Sequence, residues 1–509
     1  MVFWITAIVV VALMAILYGF RRPRIAPLPG VRVAMSRPVV KESDLGPDSA
    51  YQLLMAAGEE PPGLKPSEGF DQVWPLGRSE ALDKLDTQPW PKELPPPAAP
   101  AAPAPEWGGL DANRRSMNAD APWTRAQVLD IQRVLELYRP RFAMLDRALT
   151  ASDPQMPTSE PDDLVWPEYH TPSQELSRAL ILSAHCQAAA GDVEGAYRDL
   201  LRSARLGNLM SRGGPVFHAL VCSSLLCDSC GAARHIALRY EGSPDVLRRA
   251  ARDYLACADA MEPMAETMRA GALFGREWIV HSYDSGFIEL QYADDLSVRT
   301  DRWCPGRWTC WALARFGWLV GSTPTKTART LDAFFQHLIS LAEQPYSASV
   351  PADEDDLARR LAARGSMAKV LLGTWDPVGY LAAGSCFGAL QNTLKRPVET
   401  RAQVRGTALL LAIKAHETEH GALPEQLAQL VPDYLPRVPK DPFDGKPFRY
   451  LRSNVPGLPA EAWAVYSIGE DFTDDGGTAQ AVGSYRTDQS ITPDLVWPSL
   501  DYPPLPPEP

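Results

Sequence analysis

The stretch VFWITAIVVVALMAILYGF, Val2 to Phe20, carries no charge and then meets Arg21, Arg22 and Arg24. About 20 apolar residues at 1.5 Å each are enough to span a bilayer. A cleaved signal peptide would start basic and end on small residues at a cleavage site, and neither is present. The expectation is therefore an uncleaved N-terminal transmembrane helix over residues 1–22 and a single-pass membrane protein. By the positive-inside rule the three arginines place the body in the cytoplasm.

Beyond the anchor the texture changes twice. Proline, 48 residues in all, gathers in one tract and at the two ends, far above its usual share of about 5% there. Residues 23–110 read as a Pro-rich stalk or linker. SAYQLLMAAGEE is a short amphipathic helix within it, and QPWPKELPPPAAPAAPAPEW is semi-rigid polyproline. The formal charge of -12 repels phosphate backbones, and no basic stretch with interleaved aromatics overrides it, so nucleic acid is not expected as a partner.

Residues 111–395 read as an α-helical hairpin domain of tetratricopeptide type. In WTRAQVLDIQRVLELYRPRFAMLDRAL the residues Val128, Ile131, Val134, Leu135 and Leu137 form one apolar stripe. LSRALILSAHCQAAAGDVEGAYRDLLRSARLGNL predicts two helices joined by a tight turn at Gly191 and Asp192. The small residues Ala188 to Ala190 allow close approach there, and Ala196 packs back. No repeat recurs at a fixed period. Further helices are expected over 216–240, 244–272, 328–343, 353–364 and 376–394. Residues 396–509 read as a small α+β module with a Pro-rich tail. VRGTALLLAIKAHETEHG is a helix ended by Gly421, and PFRYL and AWAVYSIG are strands. The fold class expected is thus mainly α, with a transmembrane helix, a hairpin domain and this terminal module.

Several motifs carry candidate chemistry. HETEH places His416 and His420 about 40° apart on a helical wheel, with Leu409 and Ile413 on the same side. Such a pair can hold Zn2+ with Glu417 as base, giving a zinc metallopeptidase. It also suits two histidines packed at the end of a core face. A catalytic zinc needs a third ligand, and Gln426 stands where a third histidine would fall. Cys222, Cys227 and Cys230, with His218 and His235, project around one helix and read as small buried apolar residues. CDSC has redox spacing without a preceding strand. Cys304 and Cys310 flank a Pro-Gly turn that would let them pair. In GSTPTKT, Thr325 replaces the glycine a phosphate loop requires. EDFTDDGG crowds Asp471, Asp474 and Asp475 beside glycines, which suits either a hard cation or a solvated acidic turn. DLVWP occurs at Asp163–Pro167 and again at Asp494–Pro498, with QVWP at 72–75, and reads as an apolar docking anchor.

LLLAIKAHETEHGALPEQLAQLVPDYLPRVPKDPFDGKPFRYL followed by AWAVYSIGEDFTDDGG resembles the globular part of the type II secretion major pseudopilins. It is similar also to a module that ends many uncharacterised membrane-anchored bacterial proteins. The resemblance covers about a hundred residues of the chain. It implies that His416 and His420 belong to a structural helix and that Asp471, Asp474 and Asp475 bind a structural Ca2+. It implies as well that the body faces out of the cytoplasm. The anchor departs from a pseudopilin's, because its apolar stretch holds no acidic residue and Gly19 and Phe20 come at its far end, so cutting by a prepilin peptidase and polymerisation are not expected. The function expected is a non-enzymatic, membrane-anchored interaction or assembly protein of the cell envelope related to type II secretion. Its protein partners are not named by the sequence, and the zinc hydrolase is the alternative.

Overall fold

A computed structural model describes residues 40, 44–58, 125–152, 154, 156–157, 170–214, 216–285, 323–347, 376, 379, 394–456, 458–478 and 494–498. The expected span Val2–Phe20, most of the stalk, the helix expected over 353–364, and Cys304 and Cys310 lie outside them. So does all of 376–394 except Asp376, Gly379 and Leu394.

Among the described residues no helix is long and apolar enough to cross a membrane. The single-pass architecture is corrected on that finding, and with it the membrane partner and the extracytoplasmic body. Apart from the nine-residue helix Ala50–Gly58, each described helix mixes charged residues with its apolar ones. The fold is mainly α-helical with one small open three-stranded sheet.

The helices are α1 (Ala50–Gly58), α2 (Arg125–Leu149), α3 (His170–Ala189), α4 (Val193–Met210) and α5 (Val216–Arg239). They continue as α6 (Pro244–Asp259), α7 (Met264–Ser285), α8 (Pro324–Ala342) and α9 (Lys395–His420). The α3–α4 hairpin turns where the sequence places it. Gly191 takes φ +90°, which a side chain would resist, and the Asp192 carboxylate accepts the Gly195 N–H at 2.8 Å as an N-cap. The stretch 244–272, expected as one helix, is two. Pro263 lacks an N–H and pushes Glu262 out of the helical region, so α6 stops at Asp259. α8 begins at Pro324, earlier than expected, because Thr323 Oγ1 accepts the Lys326 N–H at 3.3 Å and caps the new start.

The chain divides into two compact units. One spans Met1–Ala34, Gly275–Phe334 and Arg360–Ala389. Its described residues include Asp376, which accepts Thr327 Oγ1 at 3.0 Å, Thr330 Oγ1 at 2.6 Å and the Gly379 N–H at 3.1 Å. The other unit spans Met35–Phe274, Phe335–Arg359 and Leu390–Pro509 and holds everything described below.

In this larger unit one apolar core runs unbroken through α3, α4, α5, α6, α9 and the sheet. α4 packs on α3 and α5, and α9 lies against both α5 and α6. The sheet is β1 (Arg449–Leu451), β2 (Ala464–Ser467) and β3 (Leu495–Pro498), antiparallel in that order, with Val465 opposite both Tyr450 and Trp497. The two strands read from sequence are β1 and β2. β3 is the second DLVWP, which docks beside β2 and against α9; the other Trp-Pro copies lie outside the described residues. A second core gathers α1 and α2 on α3, α4 and α5, with Tyr51, Leu54, Tyr138, Leu145, Leu176 and Leu180 buried in it.

α9 is where hairpins and sheet meet. Every residue from Gly406 to Ile413 is buried, so more than two turns are covered on all sides rather than along one stripe. Trp497 lies flat on Gly406, so close that a Cβ there would stand 2.5 Å from the indole. The Trp497 Nε1–H donates to Gln403 Oε1 at 3.0 Å, an oxygen that also accepts Arg234 Nη1 at 3.2 Å. Gly406→Ala should therefore cost about 1–3 kcal/mol by overpacking, against a gain of about 1 kcal/mol in helix propensity. In a Trp497→Ala background the same change should be neutral or stabilising. Urea denaturation of the four chains measures both, and an equal loss in the two backgrounds would place the strain elsewhere.

Candidate functional site

The helix that carries HETEH ends as the sequence indicates. Gly421 adopts φ 67° and its N–H closes on the Glu417 carbonyl at 2.8 Å. His416 and His420 stack on one another with ring centroids 4.3 Å apart and planes 21° apart. His416 Nδ1 is 3.0 Å from the Ala422 carbonyl, and His420 Nδ1 is 3.2 Å from the His416 carbonyl. A carbonyl only accepts, so both Nδ1 atoms carry the proton and donate. The pair thus ties the end of α9 to the loop carbonyl of Ala422 and to the helix's own His416 carbonyl.

A loop residue completes the cluster. The Tyr434 hydroxyl donates to Glu419 Oε2 at 2.5 Å and lies 3.3 Å from His420 Nδ1. Arg248 of α6 sits over the Tyr434 ring, 5.0 Å from its centroid, and donates Nη2 to Glu419 at 2.6 Å. Arg252, one turn on, donates Nε to the Tyr434 carbonyl at 3.3 Å and Nη2 to the Asp433 carbonyl at 2.5 Å. The hydrogen bonds from Tyr434 and Arg248 hold the Glu419 carboxyl below its ordinary value. Burial, then the Glu419 charge, push the Tyr434 phenol up to about 12. Glu417, the residue a peptidase would use as base, is bonded to Lys414 Nζ at 2.8 Å. Among the described residues no group of three or more His, Cys, Asp or Glu side chains is arranged to hold a metal ion. The zinc hydrolase built on His416, Glu417 and His420 is corrected accordingly.

The acidic loop is held by its own turns and by Arg449. Asp471 Oδ1 accepts the Thr473 N–H at 2.9 Å, and Asp474 Oδ1 accepts the Gly476 N–H at 3.1 Å and Tyr466 Oη at 3.2 Å. Arg449 of β1 reaches Asp441 at 3.0 Å, Asp444 at 2.6 Å and Asp474 at 3.4 Å. Asp441 is fully buried and also accepts the Phe443 and Ile468 N–H groups and Ser467 Oγ, at 3.0, 3.1 and 2.9 Å. This carboxylate pins the DPFDG turn to the end of β2, a role sequence reasoning missed. The signal was Arg449 eight residues on, within the same DPFDGKPFRY run. Asp494, also missed, accepts the Gly477 N–H through Oδ2 at 2.8 Å. Its buried Oδ1 has no hydrogen-bond partner. Burial raises the Asp494 carboxyl, and the Asp474 and Asp475 charges raise it further.

The described cysteines lie in the helical layer and form no disulfide with one another. Burial pushes Cys222 and Cys230 up to about 12 and Cys257 to about 11, so the nucleophilic thiolate is suppressed. Cys227 points to Thr400, with Sγ 3.9 Å from Oγ1.

Comparison with family models, with curated proteins and with solved structures finds no match. The membrane-anchored pseudopilin-like assignment is corrected, because no described helix is a membrane span. Moreover, α9 is enclosed by α5 and α6 as well as by the sheet.

Tyr434→Phe should cost about 0.5–1.5 kcal/mol, the net worth of one hydrogen bond, with a pH signature. Glu419 has a folded value below its unfolded one, so its contribution is present above the ordinary carboxylate pKa. That contribution is lost as the pH falls through the folded value. Thermal melts from pH 7 to pH 3 should show wild type and variant converging in acid. A constant gap across that range would remove Glu419 from the interaction.

Proposed function

We propose that this chain is a non-catalytic binding scaffold whose α3–α6 helical layer carries the recognition surface and whose terminal α+β module seals the core. Neither a membrane anchor nor a place in the cell envelope forms part of this reading. One observation carries it: α9, far along the chain, fills the place beside α5 and α6 where a further array helix would lie, and the sheet closes its outer side. The side chains with chemical potential are spent on that job. The histidines cap α9, Glu417 pairs with Lys414, and three thiols are held protonated by burial. The outward faces of α4 and α6, with Arg198 and Arg249 exposed, offer rigid surface to a polypeptide partner.

Two measurements test it. A photo-crosslinking residue at Arg198 or Arg249 should give discrete polypeptide adducts in the cells that make the protein, and none from either position would sink the reading. Purified chain should show no peptidase, esterase or disulfide-reductase turnover that disappears in His416→Ala or Cys227→Ser. Such a dependence would make the protein an enzyme.

We further propose that Ca2+ stiffens the acidic loop by drawing Asp474, Asp475 and Asp494 together, carboxylates that act on one another electrostatically but are not yet gathered as a metal cluster. The support is the orphaned Asp494 Oδ1 and the carboxylates that crowd it. A bound cation would supply the countercharge that burial denies Asp494. Millimolar Ca2+ should raise the melting temperature by several degrees, reversibly with chelator, and Asp494→Asn should abolish the shift. No shift in wild type would overturn this.

A further inference from the structure

The seam between α6 and α9 holds more positive charge than the fold has paired. Arg401 and Arg405 lie one turn apart on α9, and Arg437 approaches from the loop before β1. All three share a single carboxylate, Asp259, at the last turn of α6. Arg437 holds it through Nη2, 2.6 and 2.7 Å from its two oxygens. Arg405 Nη2 stands off at 3.9 Å and spends Nη1 on the Lys440 carbonyl at 2.7 Å. Its Nε is buried with no hydrogen-bond partner. Arg401 makes no hydrogen bond or ion pair among the described residues and feels Asp259 only at a distance. Burial draws both α9 guanidiniums below their ordinary value, and Arg401 and Arg437 draw Arg405 down further. Asp441, whose charge also acts on Arg405, is paired with Arg449.

Like charges one turn apart on a helix destabilise it, and here the side chains are also partly desolvated. In a chain of formal charge -12 such a surplus is out of keeping with the whole. We propose that Arg401, Arg405 and Arg437 form a binding site for a phosphoryl group, either free phosphate or a small phosphomonoester. Three guanidiniums over one carboxylate leave two charges, which match the roughly -1.5 to -2 of a phosphate monoester near neutral pH. The unspent donors of Arg401 supply the forked hydrogen bonds such an oxyanion accepts, and the Arg405 charge stands beside them. Arg437 and Asp259, with side chains 51% and 40% exposed, leave the site open to solvent. What the helical layer binds elsewhere has no bearing on it.

Full-length protein is titrated at constant ionic strength with inorganic phosphate, phenyl phosphate or succinate, followed by calorimetry and thermal melting. Phosphate should bind and raise the melting temperature. Arg401→Gln should weaken it about tenfold, the equivalent of one charge-assisted hydrogen bond, and half-exposed Arg437→Gln should also weaken it. Asp259→Asn should strengthen binding even though it breaks an ion pair, an outcome a purely structural cluster would not give. Phenyl phosphate binding as well as phosphate assigns an esterified ligand, and phosphate alone assigns the free ion; either supports the site. Binding of succinate alone, no heat with any ligand, or phosphate binding unchanged by both arginine variants would overturn it.

Discussion

The structure depends on the complete burial of the middle of α9, Gly406 to Ile413. Leu409, Leu410, Leu411 and Ile413 point in different directions and all leave water, each contributing about 1.5–3 kcal/mol. No single partner can cover such a helix, so it needs helices on one side and a sheet on the other. That requirement joins α5, α6 and β2 around one axis. The C-terminal end of α9 is tied as well. At its C-terminus the helix must discharge its carbonyls close to that dry core, and the stacked histidines and Gly421 do so.

The sheet is small, and polar anchoring rather than length sets its position. Three or four residues per strand supply few ladder hydrogen bonds. The buried Asp441 compensates by gathering two backbone N–H groups, a serine hydroxyl and Arg449 at the hinge between turn and strand. Arg449 then extends the same charge network to Asp444 and the acidic loop. Removing either partner alone would strand a desolvated charge, a larger penalty than losing the pair together.

What was legible in the sequence followed from local rules. The α3–α4 turn was announced by Gly191 and Asp192, the end of α9 by Gly421, and β1 and β2 by apolar runs between turn residues. The miss over 244–272 was also local, since Pro263 was there to be read. Other features were not encoded near where they act. The i, i+4 spacing of HETEH fits a zinc pair and a stacked cap equally well, and Tyr434 and Arg248, 14 and 172 residues from His420, decide between them. β3 is four residues long, and its place is set by the ladder with β2 and by the indole reaching Gly406. Asp259, Arg401, Arg405 and Arg437 converge from three separate segments, so no spacing rule could have grouped them.

The lid that Trp497 forms over Gly406 has a bearing on how the chain is made. Ribosomes extend polypeptides at about 5–20 residues per second. The hairpins that end at Asp259 therefore leave the exit tunnel many seconds before α9, and α9 in turn precedes the indole that shields it. Throughout that interval the inner face of α5 and α6 is wet and adhesive. Synthesis of this protein thus passes through a stage at which the apolar faces of α5 and α6 wait for α9, a helix encoded more than a hundred residues later.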